Sequence, residues 1–104
     1  MLQGAGTPHT IADGLRGALA PRTFAEIRRG VADILTVSEE AIIAGMRELW
    51  EVLKVIVEPS GAVPYAALRA APAQFCAGHV GIVLSGGNLD LDHLPWMRAG
   101  AGTR

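Results

Sequence analysis

The sequence predicts an α/β chain: a partial, open, mostly parallel sheet with flanking helices. Three observations carry that expectation. An amphipathic run over 38–54 reads as a helix, and the continuous apolar run Val80–Leu84 reads as a strand buried on both faces. Between the chain start and that helix lies a short β-branched stretch, Asp33-Ile34-Leu35-Thr36-Val37, a further candidate strand. Alternating strands and helices favour parallel pairing. Two or three short strands make a poor independent sheet. The 104 residues are therefore expected to form a single incomplete α/β domain, part of a larger domain or one half of an assembly. Its parts are an irregular segment 1–22, an α/β portion 23–97 and a fraying tail 98–104.

Taken in order, residues 1–22 are rich in Gly, Pro and Thr and show little periodicity, with a helical turn near Leu15–Leu19. Thr23–Arg29 reads as a short helix, with Thr23 as its cap and Gly30 as its stop. Ser38, followed by Glu39 and Glu40, suits the positive end of the 38–54 helix. Ile42, Ile43, Met46, Leu49, Trp50 and Leu53 mark its buried face; Arg47, Glu48, Glu51 and Lys54 take the other side. Val55-Ile56-Val57 is apolar and stops at Glu58-Pro59, where the proline pushes Glu58 out of the α region. A small-residue helix follows over Val63–Ala71, with Pro64 tolerated in its first turn. Residues 72–79 connect it to Val80–Leu84.

Composition narrows the function. Half the residues are hydrophobic and 18% are charged, which argues for a globular chain. A formal charge of −1 excludes the broad basic footprint of a nucleic-acid binder. No signal peptide or spanning segment is read, and the lone Cys76 fits a reducing compartment, so a cytoplasmic location is expected. Asp90, Asp92 and His93 cluster, but read as a solvated turn with a capping aspartate, not a metal site. His9 and His79 read as structural or surface residues, Cys76 as packing, and Trp96 as the seal of a hydrophobic edge.

Two places invite chemistry. In open α/β sheets, ligands bind beyond the carboxyl ends of the strands. Ser85-Gly86-Gly87-Asn88 stands at such an end: paired glycines permit positive φ and close backbone approach, and Ser85 and Asn88 supply polar groups. The other reading of Gly86-Gly87 is a tight turn. Glu58 ends an apolar run, and a carboxylate in such surroundings must pair, find donors or take up a proton. Alternatively it reaches solvent.

TIADG (10–14), VSEE (37–40), VEPSGA (57–62) and VLSGGN (83–88) occur in this order. Together they resemble the pyridoxal-phosphate-dependent threonine/serine dehydratases, including serine racemase and hydroxyaspartate ammonia-lyase. The resemblance is to the C-terminal third of those enzymes, the same portion of the large domain as in tryptophan-synthase-β-like enzymes. It implies that Ser85 hydrogen-bonds the pyridine nitrogen of the cofactor and that Gly86 and Gly87 let the ring lie close. It places Glu58 beside the ring, Asp13 and Gly14 near its phenolic oxygen, and Asn88 close by, where it helps bind a nucleotide effector. The implied reaction removes the α-proton and the β-hydroxyl of a serine- or threonine-class amino acid, releasing a keto acid and ammonia. Racemisation instead returns the proton to the opposite face. The family's divalent-cation ligands, Schiff-base lysine and tetraglycine loop have no counterpart here, and Lys54 matches no family lysine motif. The expectation is a chain inactive alone, completed by an N-terminal portion or complementary chain into a homo-oligomer. A non-catalytic partner or pseudoenzyme piece, and an α/β phosphate- or nucleotide-binding module, stand as alternatives.

Overall fold

The computed structural model describes residues 9–75 and 78–97. Three α-helices order the chain: α1 at Pro21–Gly30, α2 at Glu39–Glu48 and α3 at Pro59–Ala70. Short 3₁₀ turns lie at Asp13–Leu15 and Pro72–Phe75.

α1 starts at Pro21, whose fixed φ suits the first helical position, and not at a Thr23 cap. Ala20 supplies no side-chain cap, and no residue of α1 is buried. Arg28 lies over the Phe24 ring at 5.8 Å, and Arg29 pairs with Glu26 across one turn.

α2 follows the expected pattern through Leu49, with Ile42, Met46 and Leu49 buried, but Leu53, expected on the buried face, is exposed where the chain leaves the α-helix. The Ser38 hydroxyl accepts from the Ala41 N–H at 3.1 Å, and Glu39 and Glu40 occupy the first turn. The helix widens into a π-helical turn over Leu49–Leu53. Lys54 closes it with φ 57°, the left-handed region that a non-glycine residue seldom enters. Arg47 braces this end through Glu51, at 2.7 Å.

α3 begins four residues before the expected start. Glu58 is extended, as a residue before proline prefers, and Pro59 takes the first helical position. Pro64 consequently lies inside the helix, not in its first turn.

α2 and α3 pack together along small residues, Gly45, Ala62 and Ala66 being buried. One core joins Met46, Leu49, Val57 and Ala62, flanked by Trp50, Tyr65, Leu84 and Trp96. The Trp50 indole donates to the Val57 carbonyl at 2.9 Å and meets Trp96 edge-on, centroids 5.2 Å apart. Trp96 thus seals an apolar edge, as expected. A second cluster joins Ala12, Ile42 and Ala66, with Ile11 and Val37 against it. Tyr65 donates to Glu48, which also takes Arg69 at 3.1 Å; that carboxylate raises the phenol's pKa above its ordinary value.

The expected sheet is absent among the described residues: neither Asp33–Val37 nor Val80–Leu84 forms a strand. A strand exists through ladder bonds to neighbours. Val80–Leu84 finds none among the described residues, and Val83, expected to be buried on both faces, is 74% exposed. Ile34 and Ile56 are likewise exposed. Apolar residues that read as a sheet interior thus lie open among the described residues. Cys76 and the tail 98–104 lie outside the described residues.

Candidate functional site

Three segments converge on the N-terminal end of α3. The first centres on Glu58 and the second on Gly86-Gly87. The Glu58 N–H donates to the Gly86 carbonyl at 2.9 Å. The Glu58 carboxylate lies over Gly86: a Cβ there would stand 2.3 Å from Oε1. A Cβ on Gly87 would stand 2.7 Å from the Ile56 carbonyl oxygen. Gly87 therefore excludes a side chain through close approach of the backbone, whereas at Gly86 only the movable end of the Glu58 side chain stands in the way. Neither uses positive φ, so the conformational freedom anticipated for this pair is not what it supplies. Gly61, in the first turn of α3, faces the backbone of Gly86.

The third segment is Thr10–Leu15. The Ser60 hydroxyl accepts from the Gly14 N–H at 2.9 Å. Glu39, at the start of α2, accepts from the Ile11 N–H at 2.8 Å. The Arg16 guanidinium donates twice to the Thr10 carbonyl, at 3.1 and 2.7 Å, and Ala12 N–H reaches the Thr10 hydroxyl. The Ile11 N–H, then the Thr10 hydroxyl, hold the Glu39 carboxyl below its usual range, with Arg16 adding a smaller attraction.

Between these segments opens a cleft of about 260 Å³, lined by residues including Asp13, Pro59, Asn88, Asp90 and His93. Asp90 organises the turn after Asn88. Its carboxylate accepts from Asp92 N–H at 2.9 Å and pairs with His93 Nδ1 at 2.7 Å. The Asp92 N–H, then His93, lower its pKa from the ordinary value. This is the capped turn expected from the sequence, and the described residues contain no group of acidic, histidine or cysteine side chains that could hold a metal ion.

Of the residues singled out in the sequence, Asp13, Gly14, Glu58, Gly86, Gly87 and Asn88 are thus gathered around one helix end. Of these only Asp13 and Asn88 line the cleft; Gly14, Glu58, Gly86 and Gly87 lie outside its lining, as does Ser85, which is exposed and whose hydroxyl has no hydrogen-bond partner among the described residues. His9 and His79 are exposed, as is Lys54. Sequence reasoning missed Glu39 and Ser60 as tethers of the 10–15 segment. Their hydrogen bonds span 28 and 46 residues, so no local pattern signals them.

Residues 2–86 match the family model described as "Pyridoxal-phosphate dependent enzyme". The chain belongs to the pyridoxal-phosphate-dependent enzymes. It is 40% identical over 89 residues to a beta-hydroxyaspartate dehydratase of Paracoccus denitrificans, covering 86% of this chain and 28% of that protein. It is 46% identical over 91 residues to a serine racemase of Arabidopsis thaliana, covering 83% of this chain and 28% of the relative. Among solved structures, a threonine deaminase from T.th. superposes with a TM-score of 0.80 at 42% identity, over 88% of this chain and 33% of that one. The chain thus spans little more than a quarter of the length of the curated relatives, consistent with the C-terminal portion that the motifs imply. These neighbours support the α/β class, and the complete enzyme's cofactor is pyridoxal phosphate. Among the described residues no helix is long and apolar enough to cross a membrane.

Proposed function

We propose that the chain is the C-terminal portion of a pyridoxal-phosphate-dependent ammonia-lyase or racemase. Its substrate is a hydroxyamino acid of the serine/threonine class, and its contribution is the pyridine-nitrogen side of the cofactor site. The observation that carries this reading is the convergence of Asp13-Gly14, Glu58 and Gly86-Gly87 on one helix end, in a chain of this family.

The residues present fit that end of the cofactor. Ser85 offers an exposed hydroxyl with no partner among the described residues, followed by two residues without side chains. When bound, pyridoxal phosphate supplies an electron sink that acidifies the α-proton of an amino acid. A neutral hydroxyl at Ser85 would make one hydrogen bond to the ring nitrogen without forcing its protonation, which would favour loss of a β-hydroxyl. That bond contributes about 1 kcal/mol, so its role is placement and electronic tuning. Glu58, fixed over Gly86, would offer a carboxylate to the bound cofactor, and Asp13, which lines the cleft, would lie near it.

Covalent capture needs an amine in the site. Lys54 is the sole lysine and is exposed at the end of the π-helical turn, so the 104 residues alone do not turn over. The open faces of Val83, Ile56 and α1 suit burial against the rest of the enzyme, which assembles as a cytoplasmic homo-oligomer. The same open faces favour the second reading, a non-catalytic partner that binds a complementary chain.

Co-expression with the N-terminal portion of a relative, such as the threonine deaminase, tests the proposal. The expected result is a visible cofactor absorbance and ammonia release from serine or threonine by the pair, and neither by the chain alone. Turnover by the purified 104-residue chain refutes the division of labour. A stable pair that takes up no cofactor leaves the non-catalytic partner.

A further inference from the structure

We infer that Glu39 and Ser60 are positioning residues that fix the Asp13-Gly14 segment at the cleft, each from the first turn of a different helix. The inference rests on the proposed function, and it concerns how that site is held.

The segment bearing Asp13 contains no long element of its own. Its only regular feature is the three-residue turn Asp13–Leu15, too short to define a position. What fixes it comes from outside. Ala12 is buried against Ile42 and Ala66, giving one apolar anchor where α2 and α3 meet. The two polar anchors flank it in sequence. Glu39 takes the Ile11 N–H at 2.8 Å, one residue before Ala12, and Ser60 takes the Gly14 N–H at 2.9 Å, two residues after. Asp13, between the anchors, lines the cleft with Asn88 and Pro59.

The chemistry of each anchor suits its place. Glu39 is charged, so its hydrogen bond to a backbone N–H is among the stronger kinds. Its lowered pKa, caused first by that N–H, shows that the ionised form is the one held. Arg16 returns to the Thr10 carbonyl and so ties down the entry to the segment from the other side. Ser60 is a closer constraint: a Cβ on Gly14 would stand 3.0 Å from its Oγ. A side chain at 14 would press on Ser60 and push its hydroxyl back by a few tenths of an ångström. α3 also carries a site residue at its start, since Ser60 is two residues from Glu58. Moving α3 therefore moves Glu58 and the Gly14 anchor together, which keeps the two in register.

The test uses the co-expressed pair described above, with Glu39→Gln, Ser60→Ala and the conservative Ser60→Thr. Two readouts are followed: amide hydrogen exchange at Ile11 and Gly14, and the dissociation constant and absorbance maximum of the bound cofactor. The expected result is at least tenfold faster exchange at Ile11 in Glu39→Gln and at Gly14 in Ser60→Ala. Cofactor affinity falls severalfold and the absorbance maximum shifts in both variants, and Ser60→Thr restores both readouts. Faster exchange with unchanged affinity and absorbance overturns the inference, because the tethers then serve folding alone. Unchanged exchange overturns it as well. If a variant pair fails to assemble, the Ser60→Thr and Ser60→Ala pair decides by the same readouts, and equal behaviour of the two overturns the role of the hydroxyl. Failure of the underlying reading looks different: the wild-type pair itself then takes up no cofactor.

Discussion

Replacing Gly87 by alanine separates close packing from loop flexibility as the reason for the paired glycines. The new Cβ would stand 2.7 Å from the Ile56 carbonyl oxygen, about 0.7 Å inside the 3.4 Å at which ordinary contact begins. That oxygen belongs to backbone, so it cannot swing aside as a side chain would. Two effects oppose. Alanine restricts the unfolded chain and stabilises by about 0.4–1 kcal/mol where its native geometry is free of strain. Forcing a methyl group into filled space costs about 1–3 kcal/mol. The clash wins, and the two segments around Ile56 and Gly87 must separate. Gly81 is the control, since it lies in the same irregular stretch and a methyl group added there would meet nothing within 4 Å. Urea unfolding followed by tryptophan fluorescence reads the difference, because Trp50 bonds to Val57 beside the contact. Gly87→Ala is expected to lower the unfolding free energy by about 1–2 kcal/mol and Gly81→Ala to change it by less than about 0.5. Equal midpoints for the two variants would refute the packing argument and return Gly87 to the class of ordinary turn glycines.

Three further outcomes follow from the same geometry. Gly86→Ala meets only the end of the Glu58 side chain, so stability changes by less than about 0.5 kcal/mol; cofactor binding by the assembled pair weakens, and on a Glu58→Ala background the added methyl group has no further effect. Ser38→Ala removes the hydroxyl that caps α2 and costs about 1 kcal/mol in urea unfolding, with Ser38→Asp nearly neutral. The Glu39 carboxyl has a folded pKa below its unfolded value near 4.5, so its stabilisation is complete above that pH and is lost as pH falls through the lowered folded value; the stability gap between wild type and Glu39→Gln therefore closes in acid, and a gap that persists at about pH 2 contradicts the assignment.

What could be read in the sequence, and what could not, divides by range. α2 was legible because its information is local: a hydroxyl cap, two carboxylates in the first turn and an apolar stripe at helical spacing. The starts of α1 and α3 were misplaced for one reason. In each case a proline that opens the helix, Pro21 or Pro59, reads locally as the end of the preceding segment, and Pro64, given the first turn of α3, lies inside it. Glu58 and the 85–88 stretch stand out locally, but Asp13 and Gly14 were legible only through four motifs in order, since no local rule links Gly14 to Ser60 or Ile11 to Glu39. The strands show the limit most clearly. Val80–Leu84 has the composition of a doubly buried strand, and composition records where a segment is meant to lie. Whether it becomes a strand depends on ladder partners, and those are not found among the described residues.

That dependence bears directly on function. The polar contacts that gather Asp13, Glu58 and Gly86 all close within these residues, through Ser60, Glu39 and the Glu58 N–H. The apolar surfaces of Ile56, Val83 and α1 do not close. The chain is therefore internally fixed where it would meet the cofactor and open where it would meet the rest of an enzyme. Completing the open faces would add apolar burial, about 25 cal/mol per Å², together with the ladder hydrogen bonds that Val80–Leu84 lacks among the described residues. Charged substitutions should separate the two surfaces. Val83→Asp places a carboxylate on the open face and leaves the site hydrogen bonds untouched, so the expected result is loss of co-purification with the N-terminal portion and retained amide protection at Gly14. Loss of that protection in Val83→Asp would show that the site and the open face form one unit, and that the site does not hold itself together.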